Sequence, residues 1–382
     1  MSKKKVKDES CRLNKVGGQA VLEGVMMKAG SRTVTTCRKE DGSLVVNDAT
    51  FESVKEKHKW LNIPILRGCV NFVEMMALSI KTLNFSAEAL DIEDEKEKER
   101  KRKAEEEGKK ALGTVGIIMI LSVILGLGLA VALFLVLPTL AAGAVDSLYK
   151  LISSSEVGLG EIPLAVIDGL MKVVIFLAYL FLVSLIPDIR RTFQYHGAEH
   201  KSIACFEAGD ELTPENAKKH KRFHPRCGTS FMFLMILIGI FVGMFVRFML
   251  PAKESFPADV LYSLSVSGIK ILLLPLTMGI GYEILMLAGK HPNIITKIIS
   301  APGLWVQRIT TKEPDESQLE VAIVSIKCAL RDEFSDFREF WEARGWEQKP
   351  EAETEAEAET EAENTEPEGG EDCSEGKDGE EA

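Results

Sequence analysis

The sequence predicts a mainly α membrane protein: a four-helix transmembrane bundle, a small N-terminal α+β portion on the cytoplasmic side, and a disordered acidic C-terminal tail. Three observations predict it. Four long runs are almost free of charge, although the apolar fraction of the 382 residues is an ordinary 46%. Lys and Arg crowd some of the segments between these runs and avoid others. The negative charge lies at one end: residues 351–382 hold fifteen Asp or Glu and one Lys, a local −14 against −11 for the whole chain, so residues 1–350 carry +3. That small excess excludes a strongly basic nucleic-acid protein, and no nucleic acid is expected as a partner. The seven cysteines are odd in number and show no short-range framework, which fits a reducing compartment for the soluble parts. The first twenty residues are polar and lack the apolar core of a secretory signal.

The expected order begins with an N-terminal cytoplasmic segment over residues 1–92. Residues 17–27, GGQAVLEGVMM, are too apolar for a surface loop and Gly-rich enough for a buried turn with unusual backbone angles. They do not fit a phosphate loop, having no Gly-Lys-Ser/Thr ending. Residues 32–51 read as a β-hairpin about the Asp41-Gly42 turn. From Ile65 to Leu90, apolar residues at Ile65, Val70, Val73, Met76, Ile80 and Leu83 follow helical spacing, which predicts a helix against the membrane or the bundle. The mixed-charge run over 93–110 reads as a solvated linker, its signs being interspersed.

The membrane domain is expected over 111–289. Ala111–Leu137 is 27 residues without a charge, and about 20 residues suffice to cross the hydrocarbon core as a helix. Ile162–Pro187 carries Asp168 and Lys172 near its start, Thr229–Leu250 carries Arg247 near its end, and Leu261–Gly289 contains Lys270, Pro275 and Glu283. The loops 138–161 and 251–260 hold one Lys each, whereas 188–228 holds eight Lys or Arg. By the positive-inside rule, both termini and the 188–228 loop are cytoplasmic in a multi-pass protein of the cell membrane. After the last span, Pro292 and the Ala301-Pro302-Gly303 turn lead into a cytoplasmic helical segment over 290–349. Its helix runs from about 316 to 333 behind an Asp315 or Ser317 cap, with Leu319, Ala322, Ile323, Ile326 and Leu330 on one packing face. The Glu/Ala/Thr run over 350–382 cannot bury enough apolar surface to order itself.

Chemistry concentrates in the 188–228 loop. His196-Gly197-Ala198-Glu199-His200 places two imidazoles four residues apart on one helical face, a chelate spacing for a divalent metal of the zinc type. It also has the form of the inverted zincin signature, in which Glu199 is the general base. On a helical wheel, with His196 at zero, His200 falls at about 40°, Glu207 at about 20° and Glu199 at about 300°. Glu207 is therefore a candidate ligand. His224 and Cys227, spaced His-x-x-Cys at the mouth of the third span, are further candidates. Glu283 is a candidate because an ionisable group inside an apolar span is functional by default. Glu23 is a candidate neighbour of the site, with a buried turn as the plainer reading. A hydrogen-bonded His/Glu network without metal is the competing account of the whole cluster.

At these residues the chain resembles the YqhQ-like family of uncharacterised bacterial multi-pass membrane proteins. The resemblance covers roughly residues 15–330. It rests on Gly17–Met27, on Arg67-Gly68, on Tyr195–Lys201 and on His224–Thr229. It implies a multi-pass membrane protein with a metal site and metal-dependent chemistry, and it supplies no substrate. Three functions are compatible with the sequence. The first is a metal-dependent hydrolase at the cytoplasmic membrane face, acting on a peptide or a lipid-linked group. The second is an assembly or scaffold protein with a structural metal clip or a His/Glu network. The third is a transporter with Lys270, Pro275 and Glu283 along its path.

Overall fold

The computed structural model describes residue 12, residues 15–90, 121, 124–126, 128–154, 158–225, 227–250, 259–290, 294–334, 337 and 340. The charged linker over 93–110, the first part of the Ala111–Leu137 run and the acidic tail lie outside the described residues. The chain divides into a unit ending at Leu330 and a second unit from Arg331.

The soluble layer begins with a four-stranded antiparallel meander in the order β1-β2-β3-β4. Strand β1 is Val16–Val21, β2 Gly24–Ala29, β3 Arg32–Arg38 and β4 Leu44–Thr50. The Gly-rich segment is thus a β-hairpin and not an irregular turn, with Val21 opposite Gly24. Its unusual backbone angle falls on Glu23, at φ 47°, and not on a glycine. β3 and β4 form the hairpin expected about Asp41-Gly42. Gly42 supplies the positive φ of 84°, and the Asp41 carboxylate accepts hydrogen bonds from the Ser43 amide and hydroxyl.

Both faces of β3 are buried. Helix α1 is a single turn over Val54–Lys57, and α2 spans Leu66–Ala89. Thr33 and Thr35 of β3 face Ala77, Leu78 and Thr82 of α2. Two later helices, α5 (Pro187–Ala208) and α11 (Glu316–Ala329), pack against the sheet and each other. α11 begins with a capping box between Asp315 and Gln318. It was expected to bury one face, yet Leu319, Val321, Ala322, Val324 and Ile326 are all fully buried. The reason is its place between α5 on one side and β2 and β3 on the other.

The membrane layer comprises α3 (Ile124–Ser153), α4 (Glu161–Val183), α7 (Gly228–Met249), α8 (Asp259–Leu272) and α9 (Leu274–Lys290). Among the described residues, three helices are long and apolar enough to cross a membrane, or four if the bent pair α8–α9 counts as one span. Phe241, Phe245 and Phe248 of α7 are each more than 60% exposed, a surface that belongs in lipid and not in water. α4 packs on α3 and α7, and α7 packs on α9.

Three sequence expectations change here. The first span does not stop at Leu137: the helix continues to Ser153 through the expected loop. A π turn over Ala132–Val136 precedes Pro138, and it absorbs the bond that Pro cannot make. The fourth run is not one straight helix but a pair, α8 and α9, bent by 48° at Leu273 with Pro275 just beyond. The Ala301-Pro302-Gly303 turn is instead helical: α10 runs from Ile294 to Thr310 with Pro302 inside it. Short helix α6, Pro214–Lys219, starts behind a Thr213 cap that accepts from the Asn216 amide.

Candidate metal centre

The centre is built on α5. Pro187 occupies the first turn, and Gly209 ends the helix in the left-handed conformation at φ 78°. Tyr195 and every residue from Gly197 to Ile203 are buried, so the helix is wrapped on all sides. One wrapping element is the strand-like segment after α10. It crosses α5 at Gly197, where a Cβ would lie 2.0 Å from the Lys312 carbonyl oxygen. The Lys312 amide donates to the Phe193 carbonyl at 2.8 Å and fixes the crossing.

That crossing brings the Thr310 carbonyl oxygen to within 2.8 Å of His196 Nδ1. On the next turn, His200 Nδ1 lies 2.6 Å from the Arg222 carbonyl oxygen. A carbonyl only accepts, so both Nδ1 atoms carry the proton, and in the neutral rings both Nε2 atoms present a lone pair. His196 Nε2 is 3.1 Å from Cys227 Sγ, and His200 also hydrogen-bonds Cys227. The imidazole centroids are 4.4 Å apart. Cys227 is the N-cap residue of α7, its Sγ 3.2 Å from Thr229 Oγ1.

Two lone pairs therefore converge on one thiol, which has one proton to give. Without a further positive charge, one Nε2 is left facing a sulfur it cannot bond. A divalent cation resolves that conflict and lets Cys227 bind as a thiolate. The ligand atoms of His196, His200 and Cys227 all lie within 4.8 Å of one another, the one such group among the described residues. Backbone carbonyls on Nδ1 are the outer-shell partners that hold metal-ligating imidazoles in place. Burial, with the nearby His196 adding to it, holds the His200 imidazole below its usual pKa and hence neutral. The donor set fits a zinc-type ion with three protein ligands.

Glu199 lies beside the centre. Burial pushes its carboxyl up to about 7, with His196 pulling the other way. Its Oε2 has no hydrogen-bond partner. Strand β1 covers it: a Cβ on Gly18 would lie 2.7 Å from Glu199 Cγ and 2.8 Å from Oε1. The second glycine of the GGQAVLEG run thus makes room for this carboxylate.

The remaining candidates are placed elsewhere. Glu207 faces His224, at 3.4 Å between Oε2 and Nε2. It shares the histidine stripe in angle but lies about 10 Å along the axis from His200. The His224 ring is 5.7 Å from that of His200, at the margin of the centre. Its backbone is clamped by Gln307, which accepts from the amide at 2.8 Å and donates to the carbonyl at 2.7 Å. No signal in the sequence singled out Gln307. Glu283 pairs with Arg67 at 2.5 and 2.7 Å, joining α9 to α2. Gly68 lies against Tyr282 and Gly279 of α9, which accounts for the Arg67-Gly68 pair. Glu23 binds Arg191 and accepts from the Tyr195 hydroxyl at 3.2 Å. It anchors the β1–β2 turn on α5, one residue before His196.

The chain is 35% identical over 325 residues to the uncharacterized protein YqhQ of Bacillus subtilis (strain 168), covering 82% of this chain and 92% of that protein. No solved structure matches. A family model described as protein of unknown function (DUF1385) matches residues 63–332, a stretch that holds every candidate ligand, and the chain belongs to that family.

Proposed function

We propose that this chain is a membrane-bound, metal-dependent hydrolase with its site at the cytoplasmic face. His196, His200 and Cys227 hold a zinc-type ion, and Glu199 serves as the general base. The observation that carries this reading is the pair of Nε2 atoms aimed at one cysteine sulfur, each imidazole fixed from behind by a backbone carbonyl. Three protein ligands are the number that catalytic zinc sites use, with the fourth position left to substrate or water. Such an ion supplies Lewis acidity and acidifies water. The Thr310 and Arg222 carbonyls hold the ligand rings in one orientation. Glu199, buried and with Oε2 unpartnered, is poised near neutrality to accept a proton. Burial of His200 and Cys227 keeps bulk water from the ligands.

A structural clip is the second reading. The same three residues tie α5 to the start of α7 and close the excursion between them, which is what an assembly protein requires. Two variants separate the readings. Glu199→Gln should keep the metal and lose complementation of a deletion strain by a factor of about 10²–10⁴ in activity. His200→Ala should lose metal and function together. Normal complementation by Glu199→Gln, with metal retained, would assign the site to structure.

A further inference from the structure

A second polar cluster lies among the spans. Asp168 of α4 is 3% exposed. Its Oδ2 accepts from Lys172 Nζ at 2.7 Å, one turn along the same helix. Lys270 Nζ of α8 lies 3.9 Å from the same oxygen, beyond hydrogen-bond range. Oδ1 accepts from Thr139 Oγ1 of α3 at 3.2 Å. The Lys270 side chain crosses Gly243 of α7, where a Cβ would lie 3.0 Å from its Cε and 3.1 Å from its Nζ. Three helices thus bring polar groups to one carboxylate, and α7 packs against the Lys270 side chain. The Arg247 charge, one turn beyond Gly243 on α7, also acts on Lys270.

The cluster is separate from the metal centre. Asp168 sits about 22 Å along α4 from Val183, where the chain turns toward the metal-bearing helix. Among the described residues its ammonium groups outnumber its carboxylates. Two ammonium groups share one carboxylate, and the lysine side chains are only 24% and 25% exposed. A cation inside a membrane span is costly unless an anion meets it. Asp168 already receives Lys172 and Thr139, so Lys270 keeps donors to offer, and an ammonium group has three.

We propose that Lys172 and Lys270 form a binding site for a phosphate group, supplied by an anionic phospholipid of the leaflet at the end of the bundle away from the metal centre. Asp168 sets the spacing of the two lysines and limits how much positive charge they present. Free phosphate offers the same chemistry, and the test distinguishes the two sources.

The full chain in detergent micelles is titrated with dioleoylphosphatidylglycerol, with dioleoylphosphatidylcholine, and separately with inorganic phosphate, and binding is read by native mass spectrometry. Phosphatidylglycerol should bind about tenfold more tightly than phosphatidylcholine, whose quaternary ammonium offsets the charge of the same phosphate group and is repelled by the two lysines. Lys270→Met should remove that preference, and Asp168→Asn should increase it. If Lys270→Met does not yield folded protein, Lys172→Met tests the same lysine pair. Binding of inorganic phosphate with this order of variants would uphold the site and assign it to the free ion. Equal binding of both lipids with no response to phosphate would overturn the proposal. So would a shift in the same direction for Lys270→Met and Asp168→Asn, since a purely structural ion cluster loses stability from either change.

Discussion

At position 197, one hydrogen atom in place of a methyl group lets the centre form. A Cβ there would meet the Lys312 carbonyl oxygen at 2.0 Å, and a backbone oxygen cannot swing aside as a side chain can. Gly197→Ala should push the post-α10 segment off α5 and take the Thr310 carbonyl from His196. The expected cost is about 1–3 kcal/mol, the range for overpacking a buried site, read as denaturant stability in micelles, together with weaker metal retention. Unchanged stability and metal content would contradict the account of the crossing. At this scale the sequence was legible where chemistry is local. The spacing of His196 and His200 gave their common face, and the short return of the chain brought Cys227 to them. It was not legible where partners come from afar. Thr310, Arg222 and Gln307 act through backbone or amide contacts that no motif announces. Glu283 was judged by its depth in an apolar run, but depth does not give azimuth, and Arg67 claims it.

Among the elements, turn and cap chemistry gave the clearest guidance. Asp41-Gly42 placed the β3–β4 hairpin, Thr213-Pro214 started α6, and Asp315 capped α11. The β1–β2 hairpin was missed because its turn uses Glu23 at positive φ, where Gly or Asn would be the usual signal. Its glycines serve packing instead: Gly18 clears Glu199, and Gly24 clears the Thr36 carbonyl and Cys37. Proline did not end a helix in either of two places. Pro302 lies within a helix, and Pro138 follows a π turn that lets the first span run on. Helix α2 shows how periodicity identifies a helix without assigning its faces. Its apolar stripe of Val73, Met76, Ile80 and Leu83 is exposed, while Gly68, Glu74, Leu78, Thr82 and Ser86 are buried.

At the scale of the whole molecule, α5, packed on β1–β4 and α11, carries His196 and His200, and the start of the apolar helix α7 carries Cys227, so the centre sits where the two layers meet. In the topology we propose, the Lys- and Arg-rich α5–α7 connection lies on the cytoplasmic side. Labelling intact cells with a membrane-impermeant maleimide should therefore modify Leu159→Cys and leave Lys219→Cys at the background of the native cysteines. The opposite pattern would move the metal centre to the outer face.

Metal analysis of the detergent-purified full chain reads whether His196, His200 and Cys227 hold a divalent ion. It should find roughly one zinc-type ion per chain, retained in Glu199→Gln and Glu207→Gln and lost in Cys227→Ala. A folded wild-type protein that carries no stoichiometric metal and takes none up, or a Cys227→Ala variant that keeps it, would contradict the account.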